Sequence, residues 1–320
     1  MIGFSFSIEY KYTLKILGNF IFVTIFGNMN VLVTGANGQL GSELRNVAAG
    51  SRNRFVFTDV TSIPGVETIY LDITHLDAVK IICESEKIDV IVNCAAYTNV
   101  DKAEDDAPTA LLLNSTAAGI LATVAADRNA TLIHISTDYV FHGDRTIPYK
   151  EDWPTAPLGV YGSTKLLGER EIAKSGCRGI IFRTAWLYSP YGKNFVKTMK
   201  ARTSERDSLK VVFDQVGTPT YAKDLAMLIA KIIDEDLLDK TGIYHFSNEG
   251  AISWYDFAKA ICELCGNTCD IAPCHTEDYP SKADRPRFSV LDKTLVKETF
   301  GITIPYWRDS LADCIKRLEK

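Results

Sequence analysis

The stretch Asn30-Val-Leu-Val-Thr-Gly-Ala-Asn-Gly-Gln-Leu-Gly41 decides the fold. Its opening, Asn30–Thr34, is a short β-branched run that reads as a strand, and Gln39–Ala48 has helical periodicity. Between them Gly35, Gly38 and Gly41 are spaced GxxGxxG. Such glycines allow a tight turn, let the backbone approach a pyrophosphate and let the helix pack close to the strand. The phosphate charge then sits at the helix N-terminus, where free amides point at it. Glycine spacing alone is a weak signal, but here the strand–loop–helix context is right. Asp59 ends the next strand, 24 residues after Gly35, where a carboxylate can accept hydrogen bonds from an adenosine ribose. A carboxylate repels a 2′-phosphate, and no Arg or Lys immediately follows Asp59. On charge alone, NADH should fit at least as well as NADPH.

Outward from this unit, short apolar runs alternate with longer amphipathic stretches. Strands are expected at 54–59, 67–71, 89–93, 131–136 and 178–182, and helices at 74–86, 107–129 and 159–175. Near-continuous hydrophobic strands separated by helices indicate a parallel sheet covered on both faces. The expected fold class is therefore α/β: a doubly wound parallel (Rossmann) sheet with its crevice at the carboxyl ends of the strands. After Phe182 the alternation loosens and aromatics and prolines become common, so a smaller, discontinuous C-terminal substrate domain is expected. Segments 209–213 and 222–234 look regular enough to return to the main sheet. The boundaries expected are residues 29–182 plus about 209–236 for the dinucleotide-binding domain, and 183–208 plus 237–320 for the substrate domain.

Residues 1–28 read differently. Their apolar run, 16–26, is interrupted by Gly18, Asn19 and Thr24, and it falls short of the roughly 20 apolar residues that span a bilayer. No small-x-small cleavage site follows, and Glu9 sits where a signal peptide wants positive charge. Met29 is the expected working start, with residues 1–28 an extension outside the fold.

Among the 320 residues, 46% are apolar and 23% charged, which excludes wholesale disorder. Lys plus Arg is 35 and Asp plus Glu is 40, a net charge of −5. Such a chain has no global pull toward nucleic acid or an anionic membrane. Phosphate on a ligand must be met locally, by backbone amides or a few placed cations. Eight cysteines in a chain too long to need disulfide staples favour a reducing, cytoplasmic setting. The group Cys262, Cys265, Cys269, Cys274 and His275 is too loosely spaced for a zinc knuckle and reads as reduced thiols.

Tyr161-Gly-Ser-Thr-Lys165 puts a phenol and an ammonium at i and i+4, on one helix face. A free tyrosine has a pKa of about 10, so it needs help to exchange protons near neutrality. A nearby cation and an oxidised nicotinamide both favour the phenolate. The preceding strand ends in His134-Ile-Ser-Thr-Asp-Tyr139, which brings hydroxyls to the crevice. Hydroxyl, tyrosine and lysine around a carbonyl form a general-acid and oxyanion arrangement for hydride addition.

With these residues in view, the chain from about Met29 onward resembles the extended short-chain dehydrogenase/reductase family. The glycine loop and the YxxxK pair carry the superfamily resemblance. Asn93-Cys-Ala-Ala-Tyr-Thr-Asn-Val-Asp-Lys-Ala-Glu104, Ser136-Thr-Asp-Tyr-Val-Phe141, Phe182-Arg-Thr-Ala-Trp-Leu-Tyr188, Asp214-Gln-Val-Gly-Thr-Pro-Thr220 and Arg285-Pro286 before a Ser-x-Leu narrow it to a nucleotide-sugar reductase branch. That resemblance implies NADPH or NADH reducing the 4-keto group of dTDP-4-dehydro-6-deoxy-L-mannose. It implies Tyr161 as proton donor, Lys165 on the nicotinamide ribose and Thr137 on the sugar carbonyl. Gly35, Gly38, Gln39, Leu40 and Gly41 would form the pyrophosphate turn, and Asp59, Asp72, Ile73, Ala96, Tyr97 and Thr98 the rest of the cofactor groove. Thr98, Val100, Thr137, Asp138 and Trp186 would contact the nucleotide sugar, while Asn114 is read as a backbone brace. Lys282 and Arg285 are the cations expected for the substrate diphosphate, on residue type and position only.

Some members bind Mg²⁺ at a homodimer contact through glutamates, and Glu43 matches one such position; no metal is assigned. Sugar 4,6-dehydratases carry an Asp-Glu pair after Ser-Thr, whereas Tyr139 follows Asp138 here, so ketone reduction is preferred over elimination. Another nucleotide-sugar reductase or a 4-epimerase, and a non-catalytic regulatory subunit of methionine adenosyltransferase, are the alternatives. The latter is disfavoured by the presence of both Tyr161 and Lys165.

Overall fold

The computed structural model describes residues 12–17, 20–25, 28–279 and 281–319. An antiparallel pair, β1 (Tyr12–Leu17) and β2 (Phe20–Ile25), precedes β3 (Asn30–Thr34) and α1 (Gln39–Ala48). Next come β4 (Arg54–Asp59), β5 (Ile69–Tyr70), α2 (Leu76–Ser85) and β6 (Val90–Asn93). Two short helices, α3 (Val100–Ala103) and α4 (Ala107–Leu111), lead through a π-helical turn (Leu112–Thr116) into α5 (Ala117–Asp127). The first half closes with β7 (Thr131–Thr137), α6 (Val160–Ser175) and β8 (Arg178–Thr184).

The second half runs β9 (Leu187–Tyr188), α7 (Phe195–Glu205), β10 (Ser208–Val212), β11 (Val216–Gly217), β12 (Thr220–Tyr221) and α8 (Ala222–Asp234). It ends with β13 (Gly242–His245), β14 (Ile252–Ser253), α9 (Trp254–Leu264), β15 (Asp270–Cys274), α10 (Thr294–Phe300) and α11 (Trp307–Leu318).

The main sheet has seven strands in the order β5-β4-β3-β6-β7-β8-β13, and every neighbouring pair is parallel. The order reverses between β3 and β6, so the crevice opens there, at the carboxyl ends of the strands. Side chains alternate across the sheet with period two. Val31 and Val33 pack toward α1 and α8 with Leu44, Leu225 and Ile229. Leu32, Ile91 and Leu132 pack toward α2 and α5 with Val79 and Leu121. Each such burial is worth about 1.5–3 kcal/mol, which commits both faces of β3 and fixes its register. A third core, around Tyr188, Val196, Phe257, Ile261, Trp307 and Leu311, holds α7, α9 and α11 together.

Two expectations, for segment 209–213 and for the helix at 107–129, need correction. Segment 209–213 does not rejoin the main sheet: β10 pairs in parallel with β15 in a sheet of two strands. Its exposed Ser208 and Lys210 alternate with apolar residues, a half-covered pattern unsuited to an interior parallel strand. The sheet is completed instead by β13, a short edge strand. The expected helix 107–129 is interrupted by the π-helical turn, which carries Asn114. Within residues 1–28, the described segments form the β1–β2 pair, a separate two-stranded sheet; residues 1–11 lie outside the described residues.

Candidate active site

A cavity of about 760 Å³ follows the carboxyl edge of the sheet and continues beneath the C-terminal part of the chain. At one end lies the glycine turn. Gly35 has a φ of 63°, and a Cβ placed there would come within 2.6 Å of the Ala95 nitrogen. Gly41 is pressed against Ala36, 2.5 Å from where its own Cβ would stand. Only glycine fits either position. Gly38 is the N-cap of α1 and supplies no side-chain cap. The first amides of α1 are therefore open to an anion, with Gly38, Gln39 and Leu40 on the cavity wall. This turn fits a dinucleotide pyrophosphate.

Asp59 is fixed by its own neighbourhood. Its Oδ2 accepts from the Asn37 amide at 3.0 Å, and its Oδ1 from the Thr61 amide and hydroxyl at 2.8 and 2.7 Å. Asp72 is held by the Thr74 amide and hydroxyl, which keep its carboxyl below the usual range. Asp59, Asp72, Ile73, Ala96 and Thr98 all line the cavity. Gly41 and Tyr97 do not. Gly41 serves the packing of α1, and Tyr97 turns its hydroxyl to Asp106 at 3.3 Å. The Tyr97 backbone is gripped by Asn114, which accepts from its amide at 2.9 Å and donates to its carbonyl at 3.1 Å. The π-helical turn aims that side chain, a common use of such bulges.

At the other end, α6 presents Tyr161 and Lys165 to the cavity, opposite Thr137 and Asp138 at the end of β7. Burial pushes the Tyr161 phenol up to about 12, while a hydrogen bond with Thr137 pulls the other way. Tyr139 packs edge-on against its ring, with centroids 5.6 Å apart. The phenol therefore carries its proton at neutral pH, the state a proton donor needs. Burial also brings Lys165 down to about 8, opposed by Glu169. Its Nζ donates to the Ile135 carbonyl. Asp138 is raised to about 6 by burial; its Oδ1 accepts from Thr137 Oγ1 at 3.1 Å. Its Oδ2 is buried without a hydrogen-bond partner among the described residues.

Thr98, Val100 and Trp186 also line this end. Trp186 has a φ of 48°, a strained value for a bulky residue. It is held there by stacking on Trp254 with centroids 3.5 Å apart, and by Gly217, where a Cβ would fall 2.8 Å from the indole. Trp254 is a cavity residue that the sequence did not reveal, because its partner lies 68 positions away. Leu113, Lys193 and Asn194 are others.

The expected diphosphate cations are already committed. Arg285 bonds Asp101 through Nη1 at 3.2 Å and Nη2 at 2.9 Å, and Lys282 pairs with Asp105. Arg285 still reaches the cavity wall. Lys193 also lines the cavity, and among the described residues it has no ion pair or hydrogen-bond partner.

Glu43 is buried in α1, and both its oxygens are taken by Arg317 of α11, at 2.7 and 3.0 Å. A carboxylate saturated by a guanidinium does not fit as a ligand for a divalent cation. Among the described residues no group of three or more His, Cys, Asp or Glu side chains could hold a metal, the 262–275 segment included.

A family model described as the RmlD substrate binding domain matches residues 29–320. The dTDP-4-dehydrorhamnose reductase of Burkholderia thailandensis is 38% identical over 304 residues, covering 91% of this chain and 99% of that protein. A solved dTDP-4-dehydrorhamnose reductase from Clostridium acetobutylicum superposes with a TM-score of 0.85 at 41% identity, covering 91% of this chain and all of that one. Another, from Bacillus anthracis in complex with NADP, gives 0.81 at 34% identity over 91% of this chain and all of that one.

Proposed function

The chain belongs to the RmlD substrate-binding-domain family, and we propose that it reduces dTDP-4-dehydro-6-deoxy-L-mannose to dTDP-L-rhamnose, with Tyr161 as proton donor. The observation that carries this reading is the convergence of Tyr161, Lys165 and Thr137 on one cavity that also contains the uncapped start of α1.

The reduced nicotinamide supplies the hydride to C4. The chain's part is to bind, orient and protonate. The amides of Gln39 and Leu40 neutralise the pyrophosphate, and Asp59 takes the adenosine ribose. Lys165 anchors the nicotinamide ribose, with Asp72, Ile73, Ala96 and Thr98 along the groove. Thr137 hydrogen-bonds the sugar carbonyl, polarising it. As negative charge grows on O4, Tyr161 gives up its proton there. The unpartnered Asp138 Oδ2 accepts a sugar hydroxyl, while Val100 and the Trp186 ring face the nucleotide sugar. Because Arg285 and Lys282 are engaged by Asp101 and Asp105, Lys193 is the cation left for a diphosphate.

Tyr161→Phe should keep the fold and cofactor binding and lose on the order of 10²–10⁴ in kcat, the usual share of a general acid. Absorbance at 340 nm with the enzymatically generated keto sugar reads this directly, and a variant within threefold of the parent would remove Tyr161 from the role. Asp59 carries the expectation on cofactor choice. NADH should support turnover comparable to NADPH, and a strong NADPH preference in the same assay would show that other charges override this carboxylate.

A further inference from the structure

His134 lies on β7, almost fully buried, and the reaction above gives it no part. Its Nε2 is 3.3 Å from Lys165 Nζ, and its Nδ1 is 3.0 Å from Asn93 Nδ2. Which ring nitrogen carries the proton follows from the far end of this chain. The Ala95 backbone N–H donates to Asn93 Oδ1 at 3.2 Å, beside the Thr34 hydroxyl at 2.7 Å. A hydroxyl can rotate and reverse its role, but a backbone N–H can only donate. The Asn93 amide is therefore oriented with Oδ1 toward Ala95 and Nδ2 toward the imidazole. His134 Nδ1 must accept.

Burial keeps this imidazole neutral, its pKa well below the ordinary value. A neutral imidazole has one N–H, which then sits on Nε2 and points at Lys165. An amine lone pair can receive that hydrogen; an ammonium meets it with a hydrogen of its own. We propose that Asn93 and His134 form a tautomer lock that aims an N–H at Lys165, making His134 a positioning residue for the reacting lysine.

The lock works against the third proton of Lys165, in the same direction as burial, which already brings this group to about 8. Opposing it are the Ile135 carbonyl, which accepts from Nζ, and Glu169 one turn further along α6. Other titratable or charged groups near this pair include Tyr161 on α6, Asp138 and Tyr139 after β7, Cys94 after β6, Glu104 beyond α3, and Arg183 on β8, which is held by Glu169; Arg170, Glu171 and Lys174 on α6 and Arg178 on β8 belong to the same elements. The consequence is a lysine whose charge changes within the working pH range, so that the help it gives Tyr161 depends on pH.

The inference rests on Tyr161 and Lys165 being the reacting pair, but its test is independent of the sugar. Lys165 is titrated in the intact protein by NMR with ¹⁵N-labelled lysine, its signal assigned by difference against Lys165→Met. His134→Gln replaces the locked donor with an amide free to turn its oxygen to the ammonium. Asn93→Ala leaves His134 in place and frees its tautomer. Each variant should raise the Lys165 titration by about one pH unit or more, and the alkaline limb of the kcat profile should move with it. If His134 were already an acceptor, Asn93→Ala would leave the titration unchanged and His134→Gln would at most lower it. An unchanged or lowered Lys165 titration in both folded variants overturns the lock. A chain that shows the upward shift but does not reduce the keto sugar keeps the lock and loses the proposed substrate.

Discussion

Ser136 and Thr137 are neighbours on β7 with opposite duties. Thr137 turns to Tyr161, while Ser136 donates to Glu169 on α6. Glu169 in turn grips Arg183 of β8, through Nε at 3.0 Å and Nη2 at 2.7 Å, with both side chains 3% exposed. This pair anchors the helix that carries Tyr161 and Lys165. A buried ion pair adds little over a well-packed apolar pair, but removing one partner strands a charge. Glu169→Gln should therefore cost about 3–5 kcal/mol, read as a lower urea midpoint at unchanged slope. A loss under about 1 kcal/mol, typical of exposed pairs, would show that water reaches Arg183. At this scale the sequence was legible where spacing is local. Tyr161 and Lys165 are one turn apart, and Thr137 sits at a strand end. Glu169, Trp254 and Lys193 were not legible, because their roles come from partners on other elements that periodicity does not report.

Elements are held to one another by contacts of the same long range. Arg317 near the end of α11 spans 274 positions to Glu43 of α1, and its guanidinium lies 6.0 Å from the Tyr191 ring centroid. Tyr191 in turn bonds Asn46 of α1 at 2.9 Å. The last helix thus latches onto the helix whose N-terminus follows the glycine turn. Arg317→Met should destabilise the chain by roughly 3 kcal/mol, because buried Glu43 is left unpaired. Dialysis against EDTA should change neither kcat nor the melting temperature, since the latch is a guanidinium. A loss of either that added Mg²⁺ restores would place a cation where Arg317 now sits. Among the strands that the sequence read correctly, β3, β6, β7 and β8 are near-continuous apolar runs that only a doubly covered sheet can bury, while β4 alternates half-buried Phe55 and Phe57 with buried Val56 and Thr58. It misplaced 209–213 and missed β13, whose exposed Gly242 and half-buried Ile243 lack that signature. The π-helical turn was invisible for a different reason, because apolar helical segments continue on both sides of the weak helix formers Asn114, Ser115 and Thr116.

Over the whole molecule, protons couple the site to stability. His134 and His245 are buried and neutral, His245 falling to about 3 through burial and the nearby Arg183 charge. Both are lowered, so between their unfolded value of about 6.5 and the folded values the unfolded chain binds two protons that the folded chain does not. Acidification then costs stability. Asp138 runs the other way. Raised to about 6 by burial, it holds a proton in the folded state from pH 6 down to about 4 that the unfolded chain has lost. Asp224 and Glu151, also raised by burial, add to that side. The balance between pH 6 and 4 is at most about one proton, so stability should fall by no more than about 1.4 kcal/mol per pH unit there. Below pH 4 the sign no longer cancels. Asp72, Asp101, Asp214 and Asp313 are all lowered in the folded state, and their protonation favours unfolding. Urea midpoints of the cofactor-free protein at pH 7, 5 and 3.5 should therefore show a shallow decline and then a steep one. A steep, two-proton loss already between pH 6 and 5 would mean that Asp138 is ionised in the folded chain. Asp138 would then face the cavity as a carboxylate in acid as well as at neutrality.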